Sequence, residues 1–147
     1  MTYRKADEND IDILTELLCE LYENHSYEEL FEENKAHFDN GKQAFFLAYD
    51  CDNPVGVCHG ALRSEYVNGK AYSGTVGYLE AIYVRSAYRL RGVASSLVDV
   101  CEEWVKQNGC NEFISDCLIE NTDSYKFHLK IGFTEAERCI FFRKDFK

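Results

Sequence analysis

The sequence predicts an α/β fold: a mixed central sheet with helices on both faces. In its second half, strand and helix patterns alternate, an order that sets two parallel strands side by side beneath crossover helices. In its first half, two strand patterns flank the turn Asp50-Cys51-Asp52-Asn53-Pro54 and read as an antiparallel hairpin. The chain has 147 residues, 46% of them apolar and only one proline, which suits a single ordered domain over 1–147 with a buried core.

Each element has its own signal. Thr2 to Lys5 reads as a short strand. Asp7 or Asp10 can cap a helix whose apolar positions Ile11, Leu14, Leu18 and Leu21 follow helical spacing and which stops near Tyr22-Glu23-Asn24-His25. Ser26-Tyr27-Glu28-Glu29 has the capping-box pattern, so a second, acidic helix runs to about Phe38, with Asn40-Gly41 behind it. Gln43 to Tyr49 and Val55 to Arg63 are the hairpin strands, with Gly56 and Gly60 marking places to twist or bulge. Tyr66-Val67-Asn68-Gly69-Lys70 carries an Asn-Gly turn signal in a long loop. Val76 to Val84 is the central strand. From Gly92 to about Gln107, Ala94, Leu97, Val98, Cys101, Trp104 and Val105 form the apolar stripe of a helix lying on a sheet. Asn108-Gly109 closes that helix, Glu112 to Leu118 is the next strand, Asn121 to Lys130 a helix ended by Gly132, and Glu137 to Phe142 a last strand.

Composition narrows the function. A net charge of −10 argues against nucleic acid, whose phosphates need a basic footprint, and suits a cationic small molecule. No apolar run approaches a membrane span and the N-terminus lacks a signal peptide's apolar segment, so no membrane partner and a cytoplasmic location are expected. The seven cysteines are odd in number and lack Cys-x-x-Cys spacing, and the four histidines lack metal-ligand spacing; reduced core thiols and no metal are expected.

The chemistry concentrates around the central strand. Tyr78-Leu79-Glu80-Ala81-Ile82-Tyr83-Val84 runs into a basic turn and then a helix that begins at Gly92. Such a turn offers bare backbone N–H groups at a helix N-terminus, and Arg89 and Arg91 flank it, so a diphosphate is its natural guest. Glu80 is the one acid in an apolar run, and Asp116 ends the neighbouring parallel strand; both carboxylates should open where the strands part, as cation-binding or proton-accepting groups. Asn121, Ser124, Tyr125 and His128 share one helix face, and His128 can either donate a proton or simply bind the cofactor.

Arg89-x-x-Gly92-x-Ala94 resembles the acyl-CoA motif of the GNAT acetyltransferases, Arg/Gln-x-x-Gly-x-Gly/Ala. Asn121-x-x-Ser124-x-x-x-His128-x-x-x-Gly132-Phe133 resembles the second motif of the same family, in the expected order. The resemblance implies a sheet with splayed central parallel strands and acetyl-CoA as acyl donor. Pantetheine would then lie along Ile82, Tyr83 and Val84, the pyrophosphate on Arg89, Leu90, Arg91, Gly92, Val93 and Ala94, and Asn121 would complete the cofactor site. His128 stands where the family usually has the tyrosine that protonates the thiolate.

A closer resemblance, to the aminoglycoside 6'-N-acetyltransferases, is carried by Leu21-Tyr22-Glu23-Asn24-His25, Tyr66-Val67-Asn68-Gly69, Ser115-Asp116, Glu120-Asn121-Thr122 and the tail from Glu137 to Lys144. That branch also has histidine at the position of His128. The resemblance implies transfer to a 6'-amine by direct attack in a ternary complex. Glu80, Asp116 and His128 would be catalytic, and Tyr22, His25, Tyr66, Glu80, Asp116 and Glu137 would hold the drug. Tyr22 replaces the tryptophan expected there, a departure that bears on affinity and drug range. Alternatives are a polyamine or peptide amine as acceptor, or a non-catalytic acyl-CoA sensor. Relatives often self-associate, and the apolar Cys139-Ile140-Phe141-Phe142 suits a homodimer contact, although a last strand within its own sheet explains it nearly as well.

Overall fold

Polar residues at the chain's bends decide where its elements begin. In a computed structural model, which describes residues 1–64 and 74–147, Asp7 accepts from Asn9 N at 2.8 Å, and Asp10 both accepts from Asp7 N and takes two 2.7 Å bonds from Arg4. Together they start a 3-10 turn that passes into α1 (Ile11–Leu21). Ser26 and Glu29 cap α2 (Tyr27–Asn40) reciprocally, and Gly41 leaves it at φ +69.

Among the described residues, five strands follow one another across a single sheet, β1 (Thr2–Lys5), β2 (Gln43–Asp50), β3 (Asn53–Arg63), β4 (Val76–Val84) and β5 (Phe113–Ser115). The first four pair antiparallel, and β4 pairs β5 in parallel, so the sheet is mixed. Two further helices are α3 (Val93–Gln107), which links β4 to β5, and α4 (Thr122–Lys130).

Strand alternation sorts side chains between two cores. On one face α3 buries Val93, Leu97, Val98 and Cys101 against Phe46, Cys58, Leu79 and Val84, with Phe127 of α4 alongside. On the other, Leu14, Leu17 and Leu18 of α1 and Leu30 of α2 cover Phe45, Leu47, Val57 and Ala81. Each such leucine removed from water stabilises the fold by about 1.5–3 kcal/mol. The helices therefore lie on both faces, as expected. α3 approaches the sheet closely because β3 and β4 carry glycines beneath it. A Cβ on Gly60 would stand 2.5 Å from Cys101 Sγ, and one on Gly77 would overlap the Val105 side chain.

One irregularity matters most for the site. Along β3 and β4 the register passes from His59↔Ala81 directly to Gly60↔Leu79, leaving Glu80 as an extra residue with no partner. This is a β-bulge, and it breaks alternation. Leu79 belongs to the α3 core and Ala81 to the α1 core, and Glu80 joins Ala81 on the α1 side, where it lines a cleft with Tyr22 and Leu18.

Two expected strands change. The Glu112–Leu118 strand shrinks to Phe113–Ser115, because pairing with β4 stops at Leu79↔Ser115. The Glu137–Phe142 strand does not form: residues 134–147 have no regular structure, and Ile140, Phe141 and Phe142 are 80%, 92% and 92% exposed. Their apolar character gives β-propensity, but a strand needs a neighbour for its N–H and C=O groups, and among the described residues no strand pairs with this segment. The hairpin turn is tighter than expected, only Cys51 and Asp52, with Cys51 at φ +53.

The contact under α3 is directly testable. Gly77→Ala should destabilise the protein by about 1–3 kcal/mol through overpacking, read as a lower denaturant midpoint at unchanged slope. An unchanged midpoint would show that α3 can shift away without loss.

Candidate active site

The site grows from a fork in the sheet. β4 and β5 run together only as far as Leu79 and Ser115; the next residues are Glu80, still on β4, and Asp116, just past the end of β5. Beyond the fork, β4 continues to Val84, paired with β3 on one edge and carrying no strand on the other among the described residues. An open edge of this kind presents main-chain donors and acceptors to an extended ligand.

Neither carboxylate stands alone. Arg63, at the end of β3, donates from Nε to Glu80 Oε1 at 2.9 Å and also pairs with it through Nη2. The Arg63 guanidinium lies 3.8 Å from the centre of the Tyr78 ring, and the Tyr78 hydroxyl donates to Asp116. Burial, then the Asp116 bond, pushes the Tyr78 phenol well above its ordinary range. Burial raises the phenol of half-buried Tyr22, as do the charges of Glu80, Glu33 and Asp116, and Glu80 and Glu33 share its cleft. His25 is exposed and meets Tyr22 edge to face at 5.7 Å between ring centres.

At the far end of β4 the chain turns through residues 85–92 into α3. Leu90 (φ +61) and Gly92 (φ +80) are both left-handed, and no neighbour lies within 4 Å of where a Gly92 Cβ would stand. Among the described residues, the amides from Leu90 to Ser95 have no protein acceptor. Alternating backbone handedness and free amides at a helix N-terminus make an anion cradle. Arg89 is anchored by its Nε to the Val84 carbonyl at 2.8 Å, and Arg91 lies 5.6 Å from the Tyr88 ring. Ile82 and Tyr83 are half-buried and Val84 buried on the strand leading there, and Tyr83 donates to Glu20 at 2.7 Å.

His128 reaches the fork from α4. Its Nδ1 faces the Ser124 carbonyl at 2.7 Å, which can only accept, so Nδ1 carries the hydrogen. Nε2 meets Ser115 Oγ at 2.7 Å. Asn121 is the N-cap of α4, its side chain accepting from Ser124 N at 3.1 Å. Tyr66 lies outside the described residues. Glu137 is not brought to the fork: it is exposed in the segment without regular structure.

Reading the residues one by one misses Arg63, Tyr78, Ser115 and Glu33. Tyr78 had a signal, since it stands two before Glu80 on one strand. Arg63 had none, because a partner 17 residues away depends on strand register.

A cleft of ≈ 700 Å³ opens between α1, α2 and the sheet, lined by Tyr22, His25, Glu33, Arg63 and Glu80 towards the fork and by His37, Lys42, Gln43 and His59 further in. His59 is enclosed against Phe45, with ring centres 4.3 Å apart, and its Nε2 lies 2.6 Å from Gln43 Oε1.

Residues 11–133 match the acetyltransferase (GNAT) family. An aminoglycoside N(6')-acetyltransferase type 1 of Serratia marcescens is 36% identical over 140 residues, 95% of either chain. Another from Acinetobacter haemolyticus is 42% identical over 98 residues, 67% of either chain. Among solved structures, aminoglycoside antibiotic 6'-N-acetyltransferase AAC(6')-IG of A. haemolyticus superposes with TM-score 0.88 at 32% identity over 100% of both chains. AAC(6')-Iy in complex with the bisubstrate analogue CoA-S-monomethyl-acetylneamine gives 0.91 at 32% identity, covering 98% of this chain and 97% of that one.

Burial, helped by His37 and Arg63, pushes the His59 imidazole down to about 3, from an ordinary 6.5. The unfolded chain then takes up this proton first, so the stability tied to neutral His59 is complete above about pH 6.5 and is lost as pH falls towards 3. Unfolding free energy should fall with a contribution from this one group approaching about 1.4 kcal/mol per pH unit between about pH 6 and 4. His59→Gln should flatten that part of the curve in denaturant titrations at stepped pH. Parallel curves for the two proteins would contradict the assignment.

Proposed function

The chain belongs to the GNAT acetyltransferase family, and we propose that it transfers acetyl from acetyl-CoA to the 6'-amine of aminoglycosides, with residues 1–147 as one acetyltransferase domain. The observation that carries this reading is the fork: the first residues past the parting of β4 and β5 are both acids, and they sit beside an open strand edge that leads to an anion cradle. The residues present fit the cofactor, since free amides from Leu90 to Ser95 match a pyrophosphate and the β4 edge matches the amides of a pantetheine arm. When bound, acetyl-CoA supplies an acetyl group activated as a thioester.

The chain's own residues do the rest. Main-chain atoms of Ile82, Tyr83 and Val84 and the cradle from Arg89 to Ala94 orient the donor, with Asn121 at the head of α4 close by. Glu80 accepts a proton from the acceptor ammonium, directly or through one water, which frees the nitrogen for direct attack in a ternary complex. Asp116 and Glu33 hold other ammonium groups of the drug, while Tyr22, His25 and Tyr66 offer aromatic faces to its cations and rings. His128 Nε2 lies 2.7 Å from Ser115 Oγ, so the pair would offer a path for a proton to the leaving sulfur of a bound donor. The protein acts in the cytoplasm, where its seven thiols stay reduced; among the described residues no helix is long and apolar enough to cross a membrane. The exposed Ile140, Phe141 and Phe142 form a homodimer contact.

The regiochemistry tests the pocket. Kanamycin-like drugs with a free 6'-amine should be acetylated once, at that amine by NMR of the product, and analogues with a 6'-hydroxyl hardly at all. Glu80→Gln and Asp116→Asn should each lower turnover by about 10²–10⁴-fold. Acetylation at other ring amines, faster reaction with spermidine, or wild-type rates in both variants would reject the assignment. Acetyl-CoA binding without turnover on any amine would favour a sensor.

Self-association has its own test. Sedimentation at micromolar concentration should show a species of twice 17.0 kDa, shifted to monomer by Phe141→Asp; a monomer alone in the unaltered protein would reject the dimer.

A further inference from the structure

We infer that Arg63 is the positioning residue for Glu80, holding one carboxylate oxygen so that the other faces the acceptor amine, at some loss of affinity for the cationic substrate. The inference rests on the proposed aminoglycoside acetyltransferase reading and adds a residue to it. Its basis is an asymmetry in the ion pair. Arg63 Nε and Nη2 lie 2.9 and 2.5 Å from Glu80, and both reach the same oxygen, Oε1. Among the described residues, Oε2 has no partner. A guanidinium facing a carboxylate ordinarily engages both oxygens; here one is clamped and one is left to receive a proton.

The clamp is itself braced. The guanidinium lies flat enough on Tyr78 to bring Cζ 3.8 Å from the ring centre, and Tyr78 is fastened through its hydroxyl to Asp116. The order Glu80–Arg63–Tyr78–Asp116 thus ties the two acids of the fork to one another. Bracing matters because Glu80 sits on a bulge, where no cross-strand neighbour fixes its backbone, and a loose glutamate spreads over several rotamers. Stability alone explains the pair poorly. The two side chains are 35% and 22% exposed, and partly exposed ion pairs contribute little.

Charge separates positioning from simple binding. Arg63 puts a fixed cation among Glu80, Glu33 and Asp116, where a polycationic drug must bind, and like charges oppose that binding. A residue kept only to bind substrate would not be a cation here. Its removal should therefore leave affinity equal or better and damage turnover: the ammonium proton must reach Oε2, and misplacement by about 1 Å can cost about 10²-fold in rate.

The test uses the full chain, kanamycin and acetyl-CoA, with free CoA release as the readout. Arg63→Met should lower kcat by about 10–100-fold while KM for kanamycin stays level or falls and KM for acetyl-CoA is unchanged. Arg63→Lys keeps the charge without the planar fork and should recover only part of the rate. Low-millimolar guanidinium should restore activity several-fold in Arg63→Ala and have no such effect on the unaltered protein, a response that a purely structural role would not give. Circular dichroism and calorimetric acetyl-CoA binding verify the fold of each variant. Unchanged kcat in Arg63→Met, a loss expressed only as a raised KM, or no guanidinium rescue would overturn the inference. An unaltered protein that acetylates no aminoglycoside would overturn the functional reading and this inference with it; normal turnover with indifferent Arg63 variants would overturn the inference alone.

Discussion

A single unpaired residue organises the working end of this protein. β4 carries one residue more than β3 can match, and that residue is Glu80. The bulge turns Glu80 to the face covered by α1 and α2, and pairing between β4 and β5 stops one residue earlier on each strand. With strict alternation that kept Ala81 in the α1 core, Glu80 would point into the α3 core, and burying a carboxylate there would cost several kcal/mol. The same local break that spares the core an acid therefore presents that acid beside an open strand edge.

Around this break the electrostatics are arranged by sign. Glu80 and Glu33 line the cleft with Tyr22, and Asp116 stands at the fork, in a chain whose net charge is −10, which favours an ammonium-rich guest. The turn into α3 does the opposite with main-chain atoms, offering free amides at a helix start next to Arg89 and Arg91. The two sides of the fork thus suit guests of opposite charge, and β4 runs from one to the other. Arg63 departs from the sorting as a cation paired to Glu80 on the acidic side, and Lys42 lines the cleft further in.

What the sequence reveals follows the range of the forces involved. Helix caps, the Asn40-Gly41 stop, the stripe on α3 and the glycine-led turn depend on residues within a turn or two, and all can be read directly. Glu80 and Asp116 are visible as acids in or beside apolar runs. Their common position at the fork needs only the expectation of adjacent parallel strands. The ion pair between Arg63 and Glu80, the Tyr78 bond to Asp116 and the Ser115 contact of His128 span 17, 38 and 13 residues, and register decides each. The last strand fails for a related reason. Ile140, Phe141 and Phe142 have the composition of a strand, and composition says nothing about whether a partner lies alongside.

The open β4 edge and the free amides at the start of α3 are suited to form one continuous seat for the acyl donor. Hydrogen–deuterium exchange with and without CoA measures it most directly, because main-chain donors are the groups that would be engaged. Slowed exchange confined to the segments Glu80–Val84 and Leu90–Ser95, with the α1–α2 side of the cleft unchanged, is the predicted result. Protection centred on α1 and α2, or CoA binding that leaves both β4 and the start of α3 exchanging at their free rates, would contradict it.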